Sequence, residues 1–148
     1  MLDIIQASRK DIEQVAYLFD QYRVFYKMPS DIIAAKNFVN SRLTQKDSLI
    51  FLAIGETSAV AFMQIYPAFS SVAMLPIWIL NDLFVDSSAR RTGCARKLME
   101  YLQERAKQEG IFSIKLATAV NNNKAKSLYE SLGYRLNQDF DNYSKRIF

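Results

Sequence analysis

Histidine is absent from the 148 residues, and cysteine occurs once, at position 94. The first absence removes His-based general acid/base chemistry and any His-containing zinc site. The second removes an internal disulfide and any demand for an oxidising compartment. Glycine and proline are scarce, at 4 and 3 residues, and the composition is that of a packed chain rather than a disordered one. No apolar run approaches the roughly 20 residues of a membrane span. The start, MLDIIQASRKDIEQ, has no basic lead-in and no small-residue cleavage site, which argues against a signal peptide. A cytoplasmic protein without a membrane partner is the expectation.

What is present sharpens that picture. Half of the residues are hydrophobic and 23% are charged, enough for one compact domain over 1–148 that buries roughly 70% of its unfolded surface. The formal net charge is +4, but it is local: residues 90–126 hold nine Lys/Arg against three Asp/Glu, whereas the rest hold ten against twelve. A basic patch suits nucleic acid or a phosphorylated small molecule. The basic stretch carries no nucleic-acid motif and no interleaved aromatics, so a phosphorylated cofactor fits it better.

The stretch Leu80 to Gln108, LNDLFVDSSARRTGCARKLMEYLQERAKQ, organises the chain. An apolar run ends at Val85, a polar loop follows, and a helical period begins with Leu98, Met99, Leu102 and Ala106. A helix start presents unpartnered N–H groups and the positive end of the helix dipole, and therefore attracts an anion. Gly93 permits close backbone approach, Ala95 keeps the second turn small, and Arg90, Arg91 and Arg96 add charge. The loop is neither a Walker-type phosphate loop nor a dinucleotide fingerprint, because the required glycine spacings are missing.

R-x-x-G-x-A after an apolar strand resembles the pyrophosphate loop of the GNAT superfamily of N-acetyltransferases, [QR]-x-x-G-x-[GA]. A second match follows downstream. Asn122-x-x-Ala125-x-x-Leu128-Tyr129-x-x-x-Gly133-Tyr134 fits the family signature N-x-x-A-x-x-L-Y-x-x-x-G-[FY], and of Asn121, Asn122 and Asn123 only Asn122 is in register. The N-terminal YRVFY and PSD segments also look like the polyamine- and histone-acetylating branch. The resemblance covers about residues 1–140.

Read in order, Leu2 to Ala7 is a short strand, and Ser8 with Asp11 makes an N-terminal capping box. Ile12, Val15, Ala16, Phe19 and Tyr22 form one helical face, and a second helix starts at Ser30-Asp31. Leu49–Ile54 and Ala59–Tyr66 form a hairpin around Gly55. Pro67 and Ser70-Ser71 mark a loop before a buried strand from Ile77. Gly110 ends the phosphate helix, Ile111–Thr118 is a further strand, a short helix runs from Asn121–Asn123 to Gly133, and Tyr134–Phe140 with Tyr143–Phe148 is a final hairpin. The order βααβββαβαββ is that of the GNAT fold, an α/β (α+β) arrangement: a mostly antiparallel, twisted mixed sheet of about seven strands flanked by four helices.

The resemblance implies transfer of an acetyl group from acetyl-CoA, as cosubstrate, to a primary amine of a small molecule, polyamine or protein by direct attack. Backbone groups of Leu83, Phe84 and Val85 would hold the pantetheine arm. Arg90, Arg91, Thr92, Gly93, Cys94, Ala95 and Arg96 would hold the pyrophosphate. Asn122 and Ala125 would contact the cofactor, with a helix cap as the alternative for Asn122. Tyr129 would serve the departing thiolate, with helix packing as its alternative. A lysine-like amine, with a pKa of about 10.4, must lose a proton before it attacks. Asp82 is the candidate base and Asn81 a candidate for orienting water or substrate. Strand alternation puts the two on opposite faces, and a hydrogen-bonded bulge is an equal alternative. Tyr26 is a candidate acceptor contact, while Val24 and Phe25 read as packing residues. Cys94 reads as a small filler, since no histidine is present to activate it.

Two other function classes fit parts of the sequence: an acetyl-CoA-binding sensor without catalysis on the same fold, and a nucleic-acid-binding module built on the basic stretch. The apolar run Ala68–Trp78 and the Ile147-Phe148 tail exceed what one small sheet needs, which suggests a homodimer. No metal is expected.

Overall fold

The computed structural model describes residues 2–148. Its regular elements are β1 (Asp3–Gln6), α1 (Ile12–Phe25), α2 (Ile32–Gln45), β2 (Leu49–Ile54), β3 (Ala59–Ser70), β4 (Leu75–Val85), α3 (Cys94–Gln108), β5 (Ile114–Leu116) and α4 (Asn123–Ser131). They fall into two compact units, one running to Ala117 and the other Thr118–Phe148.

In the first unit the five strands form one sheet in chain order. β1 through β4 pair antiparallel, and β5 joins β4 in parallel after the α3 crossover. Alternation along the strands sends two sets of apolar side chains to opposite faces. Ile50, Leu52, Phe62 and Phe84 pack with Val15 and Leu18 of α1 and Val39 of α2. Phe51, between the two β2 residues, turns the other way and meets Tyr101 of α3 at 5.4 Å between ring centroids. Val15 and Leu18 are essentially inaccessible, and burial of such a side chain stabilises the fold by about 1.5–3 kcal/mol.

Local chemistry sets the ends of these elements. Ser8 N–H donates to Asp11 Oδ2 at 2.9 Å, holding a short 3₁₀ turn ahead of α1. Buried Asp20 of α1 accepts from Ser30 Oγ at 2.6 Å and from the Asp31 N–H at 2.8 Å, and Asp31 Oδ1 then caps α2 by accepting from Ala34 N–H at 3.1 Å. At the far end of α3, Ile111 N–H returns to Ala106 O at 2.9 Å around Gly110, whose φ of 71° is left-handed.

Three expectations change. Pro67 and Ser70 lie within β3, and the turn is confined to residues 71–74. β2 ends its pairing at Leu49↔Ile65, so Pro67 sits on an edge where its missing N–H leaves no bond unmade. β5 is only three residues long instead of spanning Ile111–Thr118. The final hairpin is not formed: residues 134–148 contain no strand, and among the described residues five strands stand where about seven were expected. Phe140, Tyr143, Ile147 and Phe148 are all largely exposed, and a two-stranded hairpin that buries no apolar face is marginal in water.

Candidate active site

β4 carries the site, and a bulge sets its chemistry. Ile65 pairs with Leu80 while Gln64 pairs with Asp82, which leaves Asn81 as the extra residue of β4. The bulge reverses the faces that follow. Leu80 points to the α3 side, whereas Asp82 joins Gln64, Phe62 and Phe84 on the α1/α2 side. Asn81 is exposed and Asp82 is buried, yet the bulge lets Asn81 Nδ2 donate to Asp82 Oδ1 at 3.1 Å. Plain alternation would keep these two side chains apart; of the two readings the sequence left open, the structure takes the hydrogen-bonded bulge. The other carboxylate oxygen, Oδ2, accepts from Gln64 Nε2 at 2.8 Å, and Gln64 Oε1 accepts from Ser48 Oγ at 2.9 Å. Tyr66 lies two residues from Gln64 on the same face. Burial, then the negative charge of Asp82, raises the pKa of its phenol, so it remains a hydrogen-bond donor at neutral pH.

An aromatic wall stands on the same face. Tyr22 packs edge-on against Phe84 at 6.2 Å and against Tyr26 at 5.0 Å, and Phe25 lies 6.3 Å from Phe84. Tyr26 and Phe25 are more than half exposed. Tyr26 is thereby placed at the end of α1, on the wall next to the Asp82 face. Phe25 packs on Phe84, as a packing residue does, and forms part of the same wall. Arg90 closes it: the guanidinium carbon is 5.7 Å from the ring centroids of both Phe25 and Phe84, and Nε donates to Val85 O at 3.1 Å.

Past Leu80 no described strand pairs with the second edge of β4, because β5 ends at Leu116. Asp86 N–H donates to Val60 O at 2.8 Å. By alternation Phe84 and Asp82 also bond toward β3, and Leu83 and Val85 turn their main-chain groups to the open edge. The edge therefore offers Leu83 and Val85 rather than all three residues. The strand leads into a loop with two left-handed residues, Arg91 (φ 64°) and Gly93 (φ 78°). Gly93 is the N-cap of α3, and a Cβ built there would meet nothing within 4 Å. Its absent side chain serves the backbone conformation and leaves open space in front of the helix start. Thr92 Oγ1 braces the loop by donating to Ala89 O at 2.5 Å. Cys94 is buried and burial raises its thiol pKa, whereas Arg96 is exposed.

Asn122, Ala125 and Tyr129 lie in the second unit. Asn122 Oδ1 accepts from Ala125 N–H at 3.2 Å and caps α4. Tyr129 meets Tyr134 edge-on at 6.1 Å, and Tyr134 N–H returns to Tyr129 O at 3.0 Å around Gly133.

Sequence reading missed Gln64, Ser48 and Tyr66. Gln64 was the available signal, as a single polar residue inside the apolar run VAFMQIY. Among the described residues, no group of three or more His, Cys, Asp or Glu side chains is placed to hold a metal, and no helix is long and apolar enough to cross a membrane.

The site thus joins an open β4 edge that runs into a glycine-turned helix start with a buried carboxylate on the α1/α2 face of the same strand. Residues 12–134 match the acetyltransferase (GNAT) family, and the chain belongs to that family. It is 41% identical over 146 residues to the uncharacterized N-acetyltransferase YhfO of Bacillus subtilis (strain 168), covering 99% of this chain and 98% of that protein. It is 27% identical over 138 residues to the thialysine N-epsilon-acetyltransferase of Caenorhabditis elegans, covering 89% of this chain and 82% of that one. The crystal structure of a probable acetyltransferase superposes with a TM-score of 0.92 at 36% identity, covering 99% of this chain and 98% of that structure. The protein is an N-acetyltransferase of the GNAT fold.

Proposed function

We propose that the enzyme transfers the acetyl group of acetyl-CoA to a primary amine of a small molecule, polyamine or protein by direct attack, with residues 1–148 working as one catalytic domain. The observation that carries this reading is the continuity of the open β4 edge with the left-handed Arg91 to Gly93 turn, which suits a polar chain ending in a pyrophosphate. The family match spans both compact units, which supports a single working domain. The relative that acts on thialysine supports a small primary amine as acceptor.

Leu83 and Val85 would bond the pantetheine arm as an added strand does. The first-turn N–H groups of α3, with Arg91, Gly93 and Ala95, would hold the pyrophosphate. Acetyl-CoA supplies an activated thioester. Asp82 takes the proton that the ammonium must lose, the exposed Asn81 stands bonded to it, and Tyr26 flanks the acceptor. Tyr129 donates to the departing sulfur, and Asn122 and Ala125 set the start of the helix that carries it. We also place the enzyme in the cytoplasm, as a homodimer.

Incubation with acetyl-CoA and a panel of amines, read as CoA release, tests the reading. Amine-dependent release is expected, and loss of it in Asp82→Asn by about 10²- to 10⁴-fold. Acetyl-CoA binding without release for any amine would favour the sensor instead.

A further inference from the structure

The buried polar chain on the α1/α2 face of the sheet has a direction. A carboxylate only accepts hydrogen bonds, so the amide nitrogen of Gln64 must face Asp82 and its oxygen must face Ser48. The hydroxyl of Ser48 then donates to that oxygen, which fixes which way the amide points. Gln64 and Asp82 are exposed by only 2% and 5%, so water is kept from the bond between them, while Ser48, at 9%, stands at the outer end of the chain. A buried amide on the face that carries Phe62 and Phe84 is costly unless its bonds are made. The bulge makes them. Were β4 regular, Asp82 would lie on the Leu80 face and Gln64 would have no carboxylate to meet. The sheet gives up regular pairing at one position and gains a carboxylate held at both oxygens, by Gln64 at 2.8 Å and Asn81 at 3.1 Å. A carboxylate offers about four acceptor sites, so these two bonds fix its plane and leave the remaining lone pairs for a substrate proton.

We propose that Gln64 is a positioning residue for acetyl transfer: anchored by Ser48, it fixes the carboxylate of Asp82 in the orientation from which that group takes the proton of the acceptor amine. The inference rests on the reading of Asp82 as the base. In the step, one N–H bond of the ammonium breaks with its electron pair staying on nitrogen, and one O–H bond forms on Asp82. No electron is exchanged. Tyr66 interacts with Asp82, and the Arg42–Asp47 pair, closed at 2.8 Å, interacts with Tyr66 in turn. Ser48 also lines an open cavity of about 700 Å³ beside Arg9, Arg42 and Lys46, so the anchored end of the chain borders solvent.

The test compares Asp82→Asn, Gln64→Met and the double variant in the full-length protein, with thialysine, spermidine and lysine as acceptors, from pH 7 to 9.5. For Gln64→Met, a fall in kcat of about tenfold or more is expected at pH 7, with the KM for acetyl-CoA unchanged. The defect should shrink as pH approaches the amine pKa of about 10.4, where the acceptor sheds its own proton. The double variant should be no slower than Asp82→Asn alone. Wild-type kcat in Gln64→Met, or a loss that is pH-independent and additive with Asp82→Asn, overturns the inference while leaving Asp82 as the base. Wild-type activity in Asp82→Asn, or no turnover of any of the three amines by the wild type, overturns the reading beneath it. If Gln64→Met does not fold, Ser48→Ala carries the same test, because it frees the amide but keeps it in place. The same pH-dependent loss at smaller amplitude is then expected, and its absence overturns the inference.

Discussion

Arg90 donates its Nε–H to the carbonyl oxygen of Val85 at 3.1 Å, which turns the guanidinium over Phe84 and Phe25. The motif suggests a phosphate contact for this arginine; its placement over the two rings motivates the further proposal that it shapes the acceptor side. Arg90→Ala is therefore expected to raise the KM for the acceptor amine more than that for acetyl-CoA. Loss of the ring contacts should also lower stability by about 0.5–1 kcal/mol. Steady-state kinetics in both substrates, with a denaturant melt, checks this. A selective rise in the acetyl-CoA KM would return Arg90 to the phosphate side.

Gly93 is left-handed and faces open space. Gly93→Asn suits that conformation and adds no charge, whereas Gly93→Asp places a negative charge where the pyrophosphate is proposed. Acetyl-CoA affinity is expected to fall more than tenfold in Gly93→Asp, above about 1.4 kcal/mol, and distinctly less in Gly93→Asn. Calorimetry on both folded variants decides it, and equal affinities would remove the anion from this loop.

Tyr129→Phe keeps the ring that meets Tyr134 and removes only the hydroxyl. If the phenol donates to the departing sulfur, kcat is expected to drop by roughly 10²- to 10⁴-fold, with acetyl-CoA affinity little changed because the bond forms mainly in the transition state. Full activity with a lowered melting temperature would make Tyr129 a packing residue.

Cys94 is buried, and burial raises its thiol pKa. A raised thiol pKa means less thiolate at neutral pH and slower attack on a disulfide reagent. Labelling of the native protein with an aromatic disulfide at pH 7.5 is expected to be more than tenfold slower than in denaturant. Rapid native labelling would show the first turn of α3 to be open.

Phe69, Val72 and Met74 stand almost fully exposed at the tip of the β3–β4 hairpin, at 80%, 97% and 86%. Such a patch favours self-association. Light scattering at micromolar concentration is expected to give twice the mass of 17.0 kDa. A monomeric mass would reject the homodimer.

The sequence by itself determined the elements whose period or end chemistry is local. Apolar spacing at Leu98, Met99, Leu102 and Ala106 dictates a helix with one buried face, and the structure buries all four. Glycines 93, 110 and 133 are left-handed at helix ends, where a residue without Cβ carries no strain. The loop and the α4 signature were legible for the same reason, since each is a short contiguous string. Only the tertiary structure decided what depends on pairing between distant strands. Whether Asn81 or Asp82 turns inward depends on one register shift against Gln64 and Ile65, and a strand's own period cannot show where an extra residue is absorbed. Gln64 and Ser48 became site residues only when β2, β3 and β4 were laid side by side. Pro67 could lie in a strand because β2 stops short of it, and residues 134–148 stayed outside any strand because β-pairing needs a partner edge, which alternation in the sequence does not supply.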